Sequence, residues 1–271
     1  MCGICGIYKF NNSEINIEKC KKMLDSLYHR GPDNSNYHLE KNIFLGSSRL
    51  KIQDLTSNGN MPIKSDNSII INNGEIYNFI ELKDKFKLNC NSNSDTEVVL
   101  KLYQKIKLDF LSELNGIYAF AICDSNEVIC VRDRLGVKPF FYYQDQEKII
   151  YASEIKAILQ YGIKAEPNNK IISQYLKYGV YDHSNETFFK NIYQLPAAHY
   201  MKINENGIQI EKYWDLEETT NNKSLEQIIS EFKFLINDSI KMQLRSDVPV
   251  ALNLYPLFLI ILFVIPVKFI K

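Results

Sequence analysis

Cys2, in the opening Met1-Cys2-Gly3-Ile4-Cys5, has the most reactive chemistry open to it of any residue in the chain. With Met1 removed, Cys2 carries a thiol and a free α-amine on one residue. Their reference pKa values are about 8.5 and about 7.7–8.0. Near neutral pH the amine can therefore take the thiol proton, directly or through a water. Nucleophile and general base then share one chain end, the logic of N-terminal nucleophiles. The same stretch is also a C-x-x-C. A structural zinc site takes two ligand pairs, and Cys2/Cys5 has no matching second pair among Cys20, Cys90, Cys123 and Cys130. A thioredoxin-like motif opens a helix after a strand, whereas Ile4-Cys5-Gly6-Ile7-Tyr8 reads as a short buried strand. No metal ligand set is expected.

The elements that must position Cys2 follow from apolar spacing. Ile4–Phe10 reads as a strand. Ile17, Cys20, Leu24 and Leu27 recur at helical spacing, predicting an amphipathic helix over 16–28. It stops at His29-Arg30-Gly31-Pro32-Asp33. Ile43–Gly46 is a short strand, and Ser68–Asn72 is another that ends at Asn73-Gly74. Helical spacing resumes from Glu75 to Phe86 through Ile76, Phe79 and Leu82. Ser94-Asp95-Thr96-Glu97 has the form of a capping box ahead of a helix through Val98, Leu102 and Ile106. Strands are predicted at 117–123, 127–132, 140–143 and 149–151, and a short helix at 153–160. A long helix spans 224–244, capped by Ser224 and Gln227 and about 30 Å in length. No G-x-G-x-x-G or Walker loop occurs and the βαβ period is unsteady. The reading is an antiparallel-rich α+β domain, not a doubly wound sheet.

Composition narrows the class. The 271 residues are 45% hydrophobic and 24% charged, as in soluble globular proteins. Thirty-two basic residues balance 32 acidic ones, so net charge draws neither nucleic acid nor an anionic membrane. Six scattered cysteines without a secretory signal point to a reducing, cytoplasmic setting. The stretch from Val248 to Val267 carries no charge. It is borderline in length for a membrane span and interrupted by Pro249, Pro256 and Pro266. Three readings stay open for it: a non-native tail, a membrane anchor, or a buried segment.

Taken together, the motifs resemble a known family. Met1-Cys2-Gly3-Ile4, His29-Arg30-Gly31-Pro32-Asp33, Ser48-Arg49-Leu50, Asn73-Gly74-Glu75-Ile76-Tyr77-Asn78 and Ser94-Asp95-Thr96-Glu97-Val98 occur in this order in class II glutamine amidotransferase domains. Arg132-Asp133-Arg134-Leu135-Gly136-Val137-Lys138-Pro139, Ala152-Ser153-Glu154-Ile155-Lys156 and Leu195-Pro196 continue the series. Their wording is similar to that of glutamine-hydrolysing asparagine synthetases. The resemblance runs from residue 1 to about 250. It implies an N-terminal nucleophile hydrolase fold, with two antiparallel sheets packed face to face and helices outside.

It also implies a set of roles. Cys2 attacks the glutamine side-chain carboxamide, and Asn73 with Gly74 forms the oxyanion hole. Arg49 holds the α-carboxylate, Asp95 and Glu75 hold the α-ammonium, and backbone around Leu50 and Ile52 lines the pocket. An Asn amide and a glycine N–H are apt donors for a developing oxyanion. A guanidinium fork suits a carboxylate. The same residues have simpler readings: an Asn-Gly turn, a surface ion pair at Arg49, a dipole-favoured acid at Asp95, and an early-helix acid at Glu75. Arg132 and Asp133 are expected to be structural.

The chain departs from the family after Asp247-Val248-Pro249-Val250. There the synthetase half, which uses ATP and magnesium, should begin its Ser-Gly-Gly-x-Asp-Ser pyrophosphate loop. The sequence reads Ala251-Leu252-Asn253-Leu254-Tyr255-Pro256, and no glycine follows Gly207. The expected organisation is an amidotransferase domain over 2–213, the start of a truncated synthetase domain over 214–250, and an apolar tail outside the family over 251–271. The expected activity is the glutaminase half alone, which requires no cofactor; the expected partners are glutamine and a synthetase domain or a homodimer partner, with no nucleic acid. The alternatives are a separate subunit that feeds ammonia to a partner chain, an inactive fragment, or a membrane-tethered binding module.

Overall fold

Ile69, Ile70 and Ile71 are consecutive and all buried, yet they do not share a core. Ile70 belongs to one apolar cluster, and Ile69 and Ile71 to another. This is the period-two alternation of a strand covered on both faces. It recurs at the chain start, where Ile4 and Tyr8 face one way and Cys5 and Ile7 the other. The computed structural model describes residues 1–11, 13–218 and 222–251.

The order of elements begins β1 (Gly3–Lys9), α1 (Ile17–Asp25), β2 (Asn34–Glu40), β3 (Ile43–Arg49), β4 (Ile63–Ser65) and β5 (Ser68–Ile76). Three helices come next: α2 (Phe79–Lys85), α3 (Asp95–Ile106) and α4 (Phe110–Glu113). Then follow β6 (Gly116–Asp124), β7 (Glu127–Arg132), β8 (Phe141–Gln144), β9 (Lys148–Ala152), α5 (Ile155–Gln160) and α6 (Asn169–Tyr178). The described chain closes with β10 (Ile192–Gln194), β11 (His199–Asn204), β12 (Gly207–Lys212) and α7 (Leu225–Gln243).

The strands form two six-stranded sheets, in the orders β10-β8-β9-β1-β3-β2 and β12-β11-β7-β6-β5-β4. Their strand pairings are antiparallel. The sheets stack on a shared core in which Ile4, Leu45 and Tyr151 from the first meet Ile71, Ala121 and Met201 from the second. α1 and α5 cover the outer face of the first sheet, where Met23, Leu24 and Ile158 pack on Ile7 and Phe44. α2 and α3 cover the outer face of the second, where Leu82, Val98 and Leu102 pack on Ile70 and Phe120. This helix–sheet–sheet–helix layering is the N-terminal nucleophile hydrolase fold.

Two local expectations are corrected. β5 does not stop at Asn73-Gly74, because β6 pairs with it all the way to Ile76 opposite Gly116. Asn73-Gly74 is therefore strand rather than turn. Glu75 lies in β5, and the helix begins only at Phe79. The second correction is at Ser94. Its side chain caps α3 by accepting from Thr96 N, but Glu97 does not reach back to it. The Glu97 carboxylate instead accepts from Asn91 N at 2.9 Å and Ser92 N at 2.7 Å, fastening the preceding loop. The Ser224–Gln227 capping box is formed as expected. α7 buries none of its residues, leaving Phe232 61% and Phe234 67% exposed.

Candidate active site

Cys2 lies just ahead of β1 and meets the turn leaving β3. Leu50 N donates to Cys2 Sγ at 3.4 Å, and the thiol lies 3.7 Å from Leu50 O. Arg30 fixes the nucleophile's own backbone, its Nε donating to Cys2 O at 2.9 Å while Nη1 pairs with Glu154 at 2.9 Å. Burial pushes the Cys2 thiol pKa up, opposed by the Leu50 contact and the nearby α-amine, while Glu75 and Asp95 add to the rise. The amine at the chain start, on Met1, moves the other way. Burial lowers it most, and Arg30 and Lys138 lower it further. Lys138 is itself buried, and its Nζ donates to Met1 Sδ at 3.2 Å.

Cys2, Leu50, Ile52, Gly74, Glu75 and Asp95 line one small cavity of about 20 Å³. Arg49 lies on its wall as well. The two acids enter from different elements, Glu75 from the end of β5 and Asp95 from the first turn of α3. Asp95 is held by Ile76 N on Oδ2 and Thr96 N on Oδ1, each at 2.8 Å. These bonds favour the carboxylate, but burial outweighs them and its pKa is raised. Glu75 is pushed up to about 8 by burial and by the Asp95 charge, against the pull of Lys138. Two desolvated like charges cannot both ionise cheaply. The pair therefore favours an arriving cation.

Arg49 is more committed than the sequence suggested. Nη1 donates to Thr56 O at 3.1 Å and Asn60 Oδ1 at 2.8 Å. Nη2 donates to Gln53 O at 2.9 Å and Asp54 O at 2.5 Å. The fork thus organises the loop after β3 and leaves Nε as its remaining N–H. Gly59 allows this, since a Cβ there would sit 2.3 Å from Arg49 Nη2.

Of the expected oxyanion pair, Gly74 faces the cavity. Asn73 is buried, with Nδ2 a long 3.4 Å from Ser153 Oγ and Oδ1 without a partner. Ser153 Oγ also accepts from Ile4 N at 3.0 Å, so the Asn73 amide ends beside the start of β1. Sequence reasoning missed Gln53, Gly59, Met61, Asn72, Ser94 and Thr96 among the lining residues. Ser94 and Thr96 flank Asp95, and that adjacency was the available signal. Arg132 and Asp133 are structural. Arg132 ties Lys138 O and Leu195 O, and Asp133 accepts from Leu135 N, Val137 N and Lys138 N. The six cysteines are free, and Cys5 sits in the core under α1, away from Cys2's apolar neighbours. Among the described residues no cluster of His, Cys, Asp or Glu could hold a metal ion.

The sequence model described as glutamine amidotransferase domain matches residues 1–214, and the chain belongs to that family. It is 38% identical over 278 residues to a Methanocaldococcus jannaschii protein named as a glutamine-hydrolyzing asparagine synthetase, covering 93% of this chain and 54% of that one. It is 35% identical over 262 residues to the Bacillus subtilis glutamine-hydrolyzing asparagine synthetase 3, covering 93% and 42%. The chain thus spans about half the length of these curated relatives. In fold it is similar to the glutamine phosphoribosylpyrophosphate amidotransferase of B. subtilis, with a TM-score of 0.61, 19% identity, and coverage of 78% of this chain and 49% of that one. Among the described residues no helix is long and apolar enough to cross a membrane. The apolar tail lies outside the described residues beyond Ala251.

Proposed function

We propose that this chain hydrolyses the side-chain amide of glutamine to glutamate and ammonia, with Cys2 as nucleophile after removal of Met1. The observation that carries this reading is one cavity holding a sulfur, a glycine of β5 and two acids biased toward a cation, all within the family match.

The chemistry runs as follows. The buried thiol resists ionising in place, so its proton passes to the Cys2 α-amine as sulfur attacks the amide carbon. That amine inherits the neighbourhood of Arg30 and Lys138, which disfavours its protonated form and leaves it able to act as a base. Negative charge moves to the amide oxygen, where Asn73 Nδ2 and Gly74 N–H are the proposed donors. One such donor is worth about 2.7–4 kcal/mol in other acyl-transfer enzymes. The ammonium of the amine returns its proton to the departing nitrogen, and ammonia leaves. Water then cleaves the thioester, freeing glutamate and the thiol. Glu75 and Asp95 are the proposed holders of the substrate α-ammonium, and Arg49 Nε, its uncommitted N–H, is the proposed donor to the α-carboxylate, with Leu50 and Ile52 shaping the wall.

The family match ends at 214. That supports an amidotransferase domain over 2–213 and the start of a second, synthetase-like domain over 214–250, with 251–271 outside the family. In this reading the ammonia serves amidation of aspartate, as in the synthetases the chain resembles. A partner subunit is the alternative recipient. The residues after Val250 do not fit the ATP-binding loop of that family, since they contain no glycine.

A glutaminase assay tests the reading, with Cys2→Ala as control and mass spectrometry of the N-terminus alongside. Processed wild type should release ammonia from glutamine and the variant should not. Equal release by both would sink it.

A further inference from the structure

Two residues beyond α7, Arg245 and Asp247, bond to elements on either side of the cavity. On one side, Arg245 Nη1 donates to Tyr77 O at 2.5 Å and to Glu81 Oε2 at 2.7 Å, while Nη2 donates to Glu81 Oε1 at 2.5 Å. Tyr77 directly follows the end of β5, two residues after Glu75. On the other side, Asp247 N donates to Ile52 O at 3.0 Å, and Asp54 N donates to Asp247 Oδ2 at 2.7 Å. Gln53 Nε2 adds a longer bond to Arg245 O at 3.4 Å. Arg245 and Asp247 therefore touch the loop that carries Leu50, Ile52 and Gln53, the residue that follows the strand end carrying Glu75, and the first turn of α2. They lie beyond the family match, and the role the sequence suggests for them is only to lead into a second domain.

Asp54 shows why the grip matters. It is buried and has a φ of 54°, a left-handed conformation that its neighbours must hold. Its Oδ2 accepts from Asn93 N at 2.8 Å, its carbonyl accepts from Arg49 Nη2 at 2.5 Å, and its own N–H goes to Asp247. The loop is thus pinned to Arg49 from inside, to the entry of α3 through Asn93, and to Asp247 from outside.

We propose that residues 245–247 are a latch that sets the spacing between the 50–54 loop and the end of β5, making Arg245 and Asp247 positioning residues for glutamine binding. The proposal rests on the glutaminase reading for the identity of the ligand. Because α7 runs directly into the latch, a load on that exposed helix is transmitted to the glutamine cavity through these bonds. The Asp247 contact is the stronger handle. It is a charged acceptor on a backbone N–H, whereas the Arg245–Glu81 pair is partly solvated, with side chains 26% and 56% exposed.

The test measures glutamine affinity by calorimetry in full-length protein carrying Cys2→Ala, so that turnover does not intrude. Adding Asp247→Ala should weaken glutamine binding about tenfold, and Arg245→Ala should weaken it less. Asp247→Asn, which keeps an acceptor oxygen, should bind close to the parent. Amide exchange supplies the second readout. Asp54 N–H should exchange faster in Asp247→Ala while the amides of β6 stay protected. Unchanged glutamine affinity in Asp247→Ala, or loss of protection throughout β6, would overturn the latch. If wild type releases no ammonia while the Cys2→Ala parent binds glutamine, the hydrolytic reading fails and the latch is still judged on affinity and exchange.

Discussion

Glu75 and Asp95 make glutamine binding a proton-linked event. Burial and the Asp95 charge push Glu75 up to about 8, which favours its neutral form in the ligand-free site. An α-ammonium arriving between the acids favours the charged form and releases a proton. Calorimetry at pH 7 in buffers of different ionisation enthalpy should therefore show proton release on binding, and Glu75→Gln should abolish it and weaken affinity. The sign for folding is the opposite of an ordinary ion pair. A carboxyl raised in the folded state binds its proton more tightly there than when unfolded. Its contribution is complete below the unfolded value near 4.5 and is lost as pH rises to about 8. Ligand-free Glu75→Gln should lose less stability than wild type between those limits, as denaturant midpoints across pH would show. Arg49→Lys should also be costly, because a lysine cannot replace four bonds to the loop. A stability loss of about 1–3 kcal/mol with weaker glutamine binding is expected, read by urea titration and calorimetry. Cys2, Arg49, Glu75 and Asp95 stood out in the sequence as candidates because reactive or charged types occur there in a recognisable order. The fourfold commitment of Arg49 was not legible, since its partners there are mostly backbone carbonyls that any residue would supply.

Elements bring these residues together by register. Gly74 sits opposite Tyr118 in the β5–β6 pair, and a Cβ there would lie 2.4 Å from Ile117 O. Backbone meets backbone, so no side-chain rotation relieves it. Gly74→Ala should force β5 from β6, costing about 1–3 kcal/mol by analogy with overpacked cores and moving Glu75 with it. Chemical denaturation and glutamine calorimetry on one preparation would show both effects. Elements with a strong apolar period, such as β1, α1, α3 and β6, were visible in sequence. The end of β5 was not, because Asn73-Gly74 carries turn-forming types and only pairing with β6 makes them strand. β2 escaped for a related reason. Asn34-Ser35-Asn36-Tyr37-His38-Leu39-Glu40 is polar and largely exposed, and it is a strand because β3 offers it an edge.

Across the molecule, apolar spacing announced strands and helices, whereas two stacked sheets were implied only by the family resemblance; the faces that meet are decided by shape complementarity between Ile4, Leu45, Ile71 and Met201. α7 stands apart from that packing. Its Phe232, Phe234 and Leu235 are 61%, 67% and 56% exposed, so the chain should bind an apolar dye and self-associate as concentration rises. Phe232→Glu with Leu235→Glu should reduce both in dye titration and light scattering without altering glutamine affinity. The cavity beside Cys2 carries a different consequence. At about 20 Å³ it has room for a single water, and glutamine is far larger. Binding glutamine therefore requires the lining to make room, and lifting of the 50–60 loop is the expected route. In stopped-flow mixing with the Cys2→Ala protein, the observed rate should climb with glutamine and then level off at the opening frequency of the loop. Above that ceiling, richer supply fills the site no faster, and the protein meters its own intake.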